Sequence, residues 1–493
     1  MNPLSSLKSM LLKLKREEIK SLVLFLNFQL PNPKEDSKSS QLVKMILDDP
    51  NYSSLDLQRA IYGHANKVAF YKLVSRLKQK VLEVMLFDQH LEGEAYSPRN
   101  RMIYTLRKRL LEVDILFNRG IVDEVESRLN DLKKDARKYE LYDVLFQSNV
   151  VLRRYFITRK RTKSLENISN EIAFYKKTEF LFDQAGSEFN RMMNKINFSF
   201  TSEEYSEELT VLVDNLSQWF QETDSPTIGY YYLLLKLELL QSTSNYDQAE
   251  KVLDQLHRLL SLHPGFTTSS RQGTYLLNRA NNYIYLSNFE ESVHYVNQAI
   301  LEFNGYALNI VLSEEVLFYA KYYLNDYKEC RDILERVKKR FRSIDETVVN
   351  RFRYYQATLY FQDGNYEKAL GELSSLPEIA RDKEGWNVAR KVLQVLCLIE
   401  KEDFDSVDLS VFSLQKYLKR IQRQKHLNPR YLVIIRILVK LINEGYDYKT
   451  TYEKRKKYFQ LLSSKTGEYK WKIKSPELIV FNKWFERKLM SSI

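Results

Sequence analysis

Histidine and cysteine are the side chains best suited to acid–base catalysis, nucleophilic attack and metal binding, and this chain has few of them. It contains 6 histidines and 2 cysteines. The two histidines nearest in sequence, His257 and His263, are six residues apart, which puts them on different faces of a helix. Cys330 and Cys397 lie in apolar stretches without a zinc or redox spacing, and we interpret them as buried small hydrophobic residues.

Pairs of neighbouring acidic residues could also serve acid–base or metal chemistry. These pairs are Glu203-Glu204, Glu207-Glu208 and Glu290-Glu291. They fall near predicted helix starts, where the positive end of the helix dipole favours carboxylates, so we interpret them as solvated. The sequence also lacks the phosphate-loop, H-E-x-x-H and C-x-x-C motifs. We therefore predict no enzymatic activity, no metal site and no small-molecule cofactor.

The positive charge of the chain is concentrated near its C-terminus. The net charge is +12, and residues 411–493 contain 20 Lys and Arg against 6 Asp and Glu. Basic side chains interleaved with aromatic ones could neutralise nucleic-acid phosphates and stack on bases. The candidate nucleic-acid residues are Lys454, Arg455, Lys456, Lys457, Lys470 and Lys472, with Trp471 and Trp484 nearby. We favour the alternative of a capping helix, with solvated lysines and with these residues facing inward: Tyr452, Tyr458, Phe459, Leu461 and Leu462.

An aromatic residue recurs at a nearly constant spacing through the middle of the chain. Its positions, separated by 43, 38, 39 and 38 residues, are Tyr246, Phe289, Tyr327, Tyr366 and Phe404. A turn-forming residue precedes most copies, a small residue usually follows three positions later, and apolar helical patterns flank each copy. One unit is therefore predicted to be a helix, a tight turn and a second helix, with the aromatic ring between the two helices.

The most regular copy reads Ala357-x-x-Tyr360-x-x-x-Gly364-x-Tyr366-x-x-Ala369. This pattern resembles the tetratricopeptide repeat (TPR), and the chain as a whole resembles uncharacterised bacterial members of that family. The spacing exceeds the family's period of about 34 residues by roughly one helical turn, which predicts longer helices. The resemblance implies an all-α fold, an α-solenoid of TPR-like helix-turn-helix repeats.

The sequence divides into three predicted parts. Residues 1–95 are expected to form a helical N-terminal module, residues 96–420 a TPR-like helical repeat array, and residues 421–493 a basic helical C-terminal cap. Within the first part, helices are predicted near residues 4–29, 39–48, 55–62 and 66–90. The last of these is basic and follows a turn, an order that also describes DNA-binding helix-turn-helix modules. We favour a cap that shields the first repeat.

The first helices of TPR-like units are expected to line the concave face of the superhelix, where a partner would bind. The inward-facing candidate residues, which are expected to lie outside the core, are Asn278, Asn281, Tyr285, Tyr319, Tyr322, Tyr323, Arg351, Tyr354, Tyr355 and Thr358. Tyrosine supplies a large contact area at low entropic cost, and asparagine can bond a peptide main chain, so this face suits a protein or peptide partner. The alternative is that the tyrosines only pack between repeats.

These features predict a scaffold or adaptor that binds another protein through its concave face without catalysis. The alternative is a nucleic-acid-associated regulator that uses the basic C-terminal part, the N-terminal module or both. The most apolar later stretch, Tyr431 to Ile442, is shorter than the roughly 20 residues that span a bilayer. No small-residue cleavage site follows the N-terminal apolar run. We expect a cytoplasmic protein without membrane insertion.

Overall fold

A computed structural model describes residues 2–28, 36–85, 98–198, 203–340, 344–379, 385–422 and 428–491. Regular secondary structure within these ranges consists of 23 α-helices and no strand. The prediction of an all-α helical repeat fold is therefore confirmed. The chain divides into two units, Met1–Thr105 and Leu106–Ile493. The three-part division at residues 95 and 420 stays a prediction.

The first unit contains five complete helices around one apolar core. They are α1 (Pro3–Leu11), α2 (Arg16–Asn27), α3 (Lys38–Asp48), α4 (Ser54–Tyr62) and α5 (Lys67–Met85). Residues spaced three and four apart on α5 point into that core, because this spacing repeats once per helical turn. The buried residues of α5 are Phe70, Val74, Leu77, Val81 and Val84.

The structure corrects the single helix predicted near residues 4–29, which is two helices separated at residues 12–15. The carboxylate of Glu18 accepts a hydrogen bond from the backbone N–H of Lys15 at 2.6 Å and so caps the start of α2. Helix α4 begins with a reciprocal capping box between Ser53 and Asp56 and ends at Gly63, whose φ is 77°. Local capping therefore separates α1 from α2, whereas apolar periodicity alone predicts one long helix.

The second unit is a succession of helical hairpins, preceded by longer helices. Its helices are α6 (Pro98–Asn118, which contains the boundary between the units), α7 (Val125–Lys138), α8 (Tyr142–Thr158), α9 (Thr162–Phe198), α10 (Glu203–Thr223), α11 (Pro226–Ser242), α12 (Tyr246–Leu262), α13 (Ser269–Tyr285), α14 (Phe289–Glu302), α15 (Ala307–Tyr323), α16 (Tyr327–Lys338), α17 (Glu346–Gln362), α18 (Tyr366–Ser375), α19 (Trp386–Glu400), α20 (Phe404–Gln422), α21 (Pro429–Asn443), α22 (Tyr448–Leu462) and α23 (Phe481–Ser491). Helices α11 to α22 form six hairpins, and the odd-numbered helix of each is its first helix.

Each of the five repeat turns holds one residue in the left-handed backbone conformation. These residues, with φ between 58° and 70°, are Ser244, Ser287, Asn325, Gly364 and Glu402. The N–H of the following residue bonds back to a carbonyl of the first helix, as from Asn365 to Tyr360 at 2.9 Å. This bond satisfies a carbonyl that the helix end would leave without a partner. The turn-forming position seen in the sequence is therefore the helix stop.

Replacing Glu402 by glycine is expected to raise the free energy of unfolding by about 0.5–1 kcal/mol. Glycine avoids a left-handed strain of about 1–2 kcal/mol but loses more backbone entropy on folding. Glu367→Gly is the matched control, because Glu367 lies in the first turn of α18 and the same change there should cost about 1 kcal/mol. Urea unfolding followed by circular dichroism measures both. A loss of stability in Glu402→Gly would contradict the assigned turn geometry.

The small residues of the repeat are fully buried, which allows the helices to approach closely. They are Ala249, Ser292, Cys330, Ala369 and Val407. The aromatic residues each occupy the first position of a second helix. Tyr327 and Tyr366 contact rings of their own hairpins, Tyr322 and Phe361, as expected.

Three repeat aromatics are placed differently from the prediction that each ring lies inside its own hairpin. Tyr246 stacks on Tyr285 with ring centroids 4.7 Å apart, and Phe289 stacks on Tyr323 at 5.2 Å. Phe404 is 40% exposed and contacts Tyr446 at the end of α21. Their partners all belong to the next hairpin. A second helix begins beside the turn of its hairpin. The first helix of the next hairpin ends at the same level, so the ring can contact it.

One apolar core extends from α13 through α23, so the helices beyond residue 420 share the core of the repeats. Its members range from Ala280 to Phe485. The apolar stretch Tyr431 to Ile442 lies within α21, where seven of its side chains are buried in this core: Tyr431, Val433, Ile434, Ile435, Ile437, Leu438 and Leu441. None of the helices in the described ranges is both long enough and apolar enough to cross a bilayer.

Candidate functional site

The predicted partner-binding residues lie on three successive first helices. Helix α13 carries Asn278, Asn281 and Tyr285; α15 carries Tyr319, Tyr322 and Tyr323; α17 carries Arg351, Tyr354, Tyr355 and Thr358. We call the surface formed by these ten side chains the first-helix face. Two of them bond within their own helices, because Asn278 donates to the carbonyl of Thr274 and Thr358 to that of Tyr354.

The structure corrects the expectation that all ten positions lie outside the core. The five buried residues, each at most 4% exposed, are Tyr319, Tyr322, Tyr354, Tyr355 and Thr358. Residues 463–480, which connect α22 to α23, lie against this face and contact Tyr319, Tyr322 and Tyr354. We call residues 463–480 the C-terminal segment. The role of the ten positions in holding another protein stays a prediction.

Tyrosine hydroxyls of the first-helix face bind the main chain of the C-terminal segment. Tyr323 donates to the carbonyl of Ile473 at 2.5 Å, and Tyr354 donates to that of Pro476 at 2.7 Å. Tyr322 donates to the carbonyl of Leu478 at 3.3 Å and itself accepts a bond from the Gln362 amide. Main-chain carbonyls occur in every peptide, so these contacts do not depend on the identity of the bound side chains.

A buried ion pair holds the same segment at one end. The guanidinium of Arg430 contacts both carboxylate oxygens of Glu477, at 2.6 and 2.9 Å, and the two side chains are 2% and 4% exposed. Arg430 also donates to the carbonyls of Leu462 and Tyr469 and to the side chain of Asn482. One arginine on α21 therefore bonds the segment at Tyr469 and Glu477 and also bonds the two helices that flank it.

The ammonium of Lys474 occupies a small polar site on the first-helix face. It donates to the side-chain oxygen of Asn281 at 2.5 Å. It also lies 5.9 Å from the ring centroid of Tyr285 and 5.6 Å from that of Tyr319. The negative faces of aromatic rings attract a cation at such distances. Residues of α13 and α15 thus surround one lysine of the C-terminal segment.

A carboxylate lies beside this lysine. Glu315 accepts hydrogen bonds from the Tyr355 hydroxyl at 2.6 Å and from Arg351 at 2.8 Å. Burial by itself raises the pKa of this carboxyl, but the charge of Arg351, the bond from Tyr355 and the charge of Lys474 outweigh burial and lower the pKa. The carboxylate is therefore ionised at neutral pH and adds negative potential to the lysine site.

Sequence reasoning missed the three charged residues that organise this region, Glu315, Arg430 and Glu477. Two of them carried a signal. Arg430 lies in the first turn of α21, where the helix dipole disfavours a cation, so its position there indicates a specific partner. Glu477 is one of only 6 acidic residues among residues 411–493. Glu315 had no signal, since an acidic residue in a helix is ordinary.

The residues of the nucleic-acid hypothesis lie at the surface, whereas the nearby aromatics face inward. Lys454 pairs with Glu444 at 2.7 Å. The other candidate cations are exposed or half-buried: Arg455, Lys456, Lys457, Lys470 and Lys472. Trp484 is 2% exposed and bonds Glu400, and the indole of Trp471 donates to the carbonyl of Glu477. This arrangement fits the capping interpretation, because the tryptophan rings lie in internal contacts.

Both cysteine side chains are buried in the core. Burial raises the pKa of both cysteine thiols, Cys330 and Cys397, to about 12. Such thiols stay protonated and unreactive at neutral pH, in agreement with the interpretation as small core residues. Across the described ranges, no three His, Cys, Asp or Glu side chains are grouped in a way that could hold a metal ion.

Comparison with known proteins gives only distant similarity. No protein-family model matches the chain, and no curated protein matches its sequence. The apo form of RapI aligns over 73% of this chain and 87% of its own, with 14% identity and a TM-score of 0.40. The apo form of the quorum sensor NprR from B. thuringiensis aligns over 78% and 98%, with 12% identity and a TM-score of 0.40. The human IFIT1 dimer with m7Gppp-AAAA aligns over 89% and 99%, with 16% identity and a TM-score of 0.29.

Proposed function

We propose that this chain is a non-catalytic scaffold or adaptor that holds a segment of another protein against the first-helix face. The observation that carries the proposal is the set of three tyrosine hydroxyls, from Tyr322, Tyr323 and Tyr354, that donate to main-chain carbonyls of a non-helical segment. A face that binds one peptide main chain in this way has the chemistry to bind another. We also propose a cytoplasmic location, because free buried thiols suit a reducing compartment. A further proposal is that the chain is related to bacterial TPR proteins.

A partner would contact the side chains of the first-helix face that are not buried in the core. Asn281 and Tyr285 on α13 are half-buried, as is Tyr323 on α15. The ring of Tyr285 stacks on that of Tyr246 in the neighbouring hairpin. Tyrosine and asparagine at this location offer area and hydrogen bonds at a low entropic cost. Replacing them tests binding without emptying the core, unlike replacing the buried Tyr354 or Tyr355.

A displayed library of random peptides, selected against the immobilised full-length protein, tests the proposal. We expect enriched peptides whose affinity falls about tenfold in the double variant Asn281→Ala/Tyr285→Ala, as the loss of one hydrogen bond and one aromatic contact would produce. Tyr306→Ala is the matched control, because Tyr306 precedes α15 and is 53% exposed. Failure to enrich any peptide, or equal losses in the double variant and the control, would refute binding at this face.

A further inference from the structure

We propose that the first-helix face contains a lysine-binding pocket for its peptide partner and that Lys474 of the chain itself occupies this pocket in competition with the partner. The inference rests on the proposed peptide-binding function. It adds the chemistry of the ligand, an extended peptide with a lysine side chain, and a regulatory element within the same chain.

The pocket has the groups that recognise an ammonium. The amide oxygen of Asn281 accepts its hydrogen bond, and the ring centroids of Tyr285 and Tyr319 lie 5.9 and 5.6 Å from it, within the range of cation–π attraction. Glu315 adds a negative charge that the Lys474 ammonium senses. These residues come from two successive first helices, so the repeat stacking assembles the pocket. A neutral side chain would gain neither the cation–π attraction nor the attraction to Glu315.

The C-terminal segment has two parts that differ in burial. Residues 476–479 are buried, and Glu477 is bound by Arg430 within the core. Residues 469–475 are half-buried or exposed, and Lys474 belongs to this part. The lysine side chain can therefore leave its pocket while the anchor at Glu477 keeps the segment in place. A partner lysine and Lys474 cannot occupy the pocket together, because two ammonium groups beside the same Asn281 oxygen and the same two rings would repel each other.

A labelled synthetic peptide with the sequence of residues 469–478 is the probe, and fluorescence anisotropy measures its binding to the full-length chain. In the Lys474→Ala chain the pocket is vacant, so we expect this peptide to bind about tenfold more tightly than it binds the unaltered chain. The same peptide with alanine at the position of Lys474 should show no such gain. Lys483→Ala is the matched control, because it removes an exposed lysine of α23 and leaves the pocket filled.

Adding Asn281→Ala to the Lys474→Ala chain should abolish the gain in affinity for the lysine peptide. This result would show that the peptide lysine binds in the pocket. If the lysine peptide binds the unaltered and the Lys474→Ala chains with equal affinity, Lys474 does not compete with the partner. If the alanine peptide shows the same gain in affinity, the pocket does not recognise lysine. In both cases peptides selected from the random library could still bind, and the proposed function would stand. Absence of any peptide binding to either chain would refute both proposals.

Discussion

Replacing Arg430 by alanine is expected to lower the free energy of unfolding of the second unit by about 3–5 kcal/mol, because the change leaves the buried carboxylate of Glu477 without its counter-ion. The pair is 2% and 4% exposed, so water cannot solvate the remaining charge without local unfolding. Arg430 also saturates the carbonyls of Leu462 and Tyr469, which would lose their partners. Urea unfolding followed by helical circular dichroism gives the change.

The double variant Arg430→Met/Glu477→Leu separates the charge effect from the packing effect. Apolar side chains of similar length remove both charges, and such replacements of buried ion pairs cost little or even stabilise other proteins. We therefore expect the double variant to be more stable than Arg430→Met alone. If Arg430→Met costs less than about 1 kcal/mol, or if the double variant is the less stable of the two, the ion pair does not anchor the segment in the way that the contacts indicate.

Loss of Arg430 should also expose the C-terminal segment before the unit unfolds. The segment contains four lysines, Lys465, Lys470, Lys472 and Lys474. The carbonyl of Ile473 between the last two bonds Tyr323, so trypsin can cleave after Lys472 and Lys474 only when this backbone leaves the first-helix face. Faster cleavage at these lysines in Arg430→Met than in the unaltered chain is the expected consequence. Arg430 on α21 and the lysine pocket on α13 and α15 thus hold the same segment at two places, Glu477 and Lys474.

The hairpins could be predicted from the sequence because their signals are local. In one unit, Ser287 with its left-handed backbone, Phe289 at the helix start and the buried Ser292 all fall within six residues. A turn residue, a helix start and a close helix contact each depend on neighbours along the chain. Repetition of the same short pattern then establishes the all-α fold without knowledge of any distant contact.

The cover over the first-helix face could not be predicted, because its contacts join residues far apart in sequence. Tyr323 and Ile473 are 150 residues apart, and Tyr354 and Pro476 are 122 apart. Helical periodicity shows which side of α17 carries Tyr354, but it does not show what lies against that side. The ten predicted residues therefore lie on first helices, but five of them are buried in the core instead of lying outside it.

Fewer cations of the C-terminal part are available to an external partner than the charge count suggests, because some of them make internal contacts. Arg430 is neutralised by Glu477, and Lys488 by Glu400 at 2.9 Å. Lys474 bonds Asn281 on α13. The count of 20 basic residues in this part does not distinguish these internal contacts from solvated lysines. Only the three-dimensional pairing shows that several of them bind the repeats themselves.

Replacing Gly385 by alanine is expected to lower the free energy of unfolding by about 2–5 kcal/mol, the sum of left-handed strain and overpacking. Gly385 precedes α19 with φ of 78°, and a Cβ there would lie 2.5 Å from the ring of Tyr431. Tyr431 is 2% exposed and belongs to the apolar core, so a movement of its ring would disturb core packing. Helix α19 would have to shift away from α21 instead.

Gly364→Ala is the matched control for this prediction, because Gly364 has φ of 70° but a Cβ there would meet no atom within 4 Å. It should cost only the strain of about 1–2 kcal/mol. Urea unfolding of both variants measures the difference, which we assign to the contact with Tyr431. Equal costs would mean that the ring yields freely, and the close packing of Gly385 against Tyr431, the neighbour of Arg430 on α21, would then have to be abandoned.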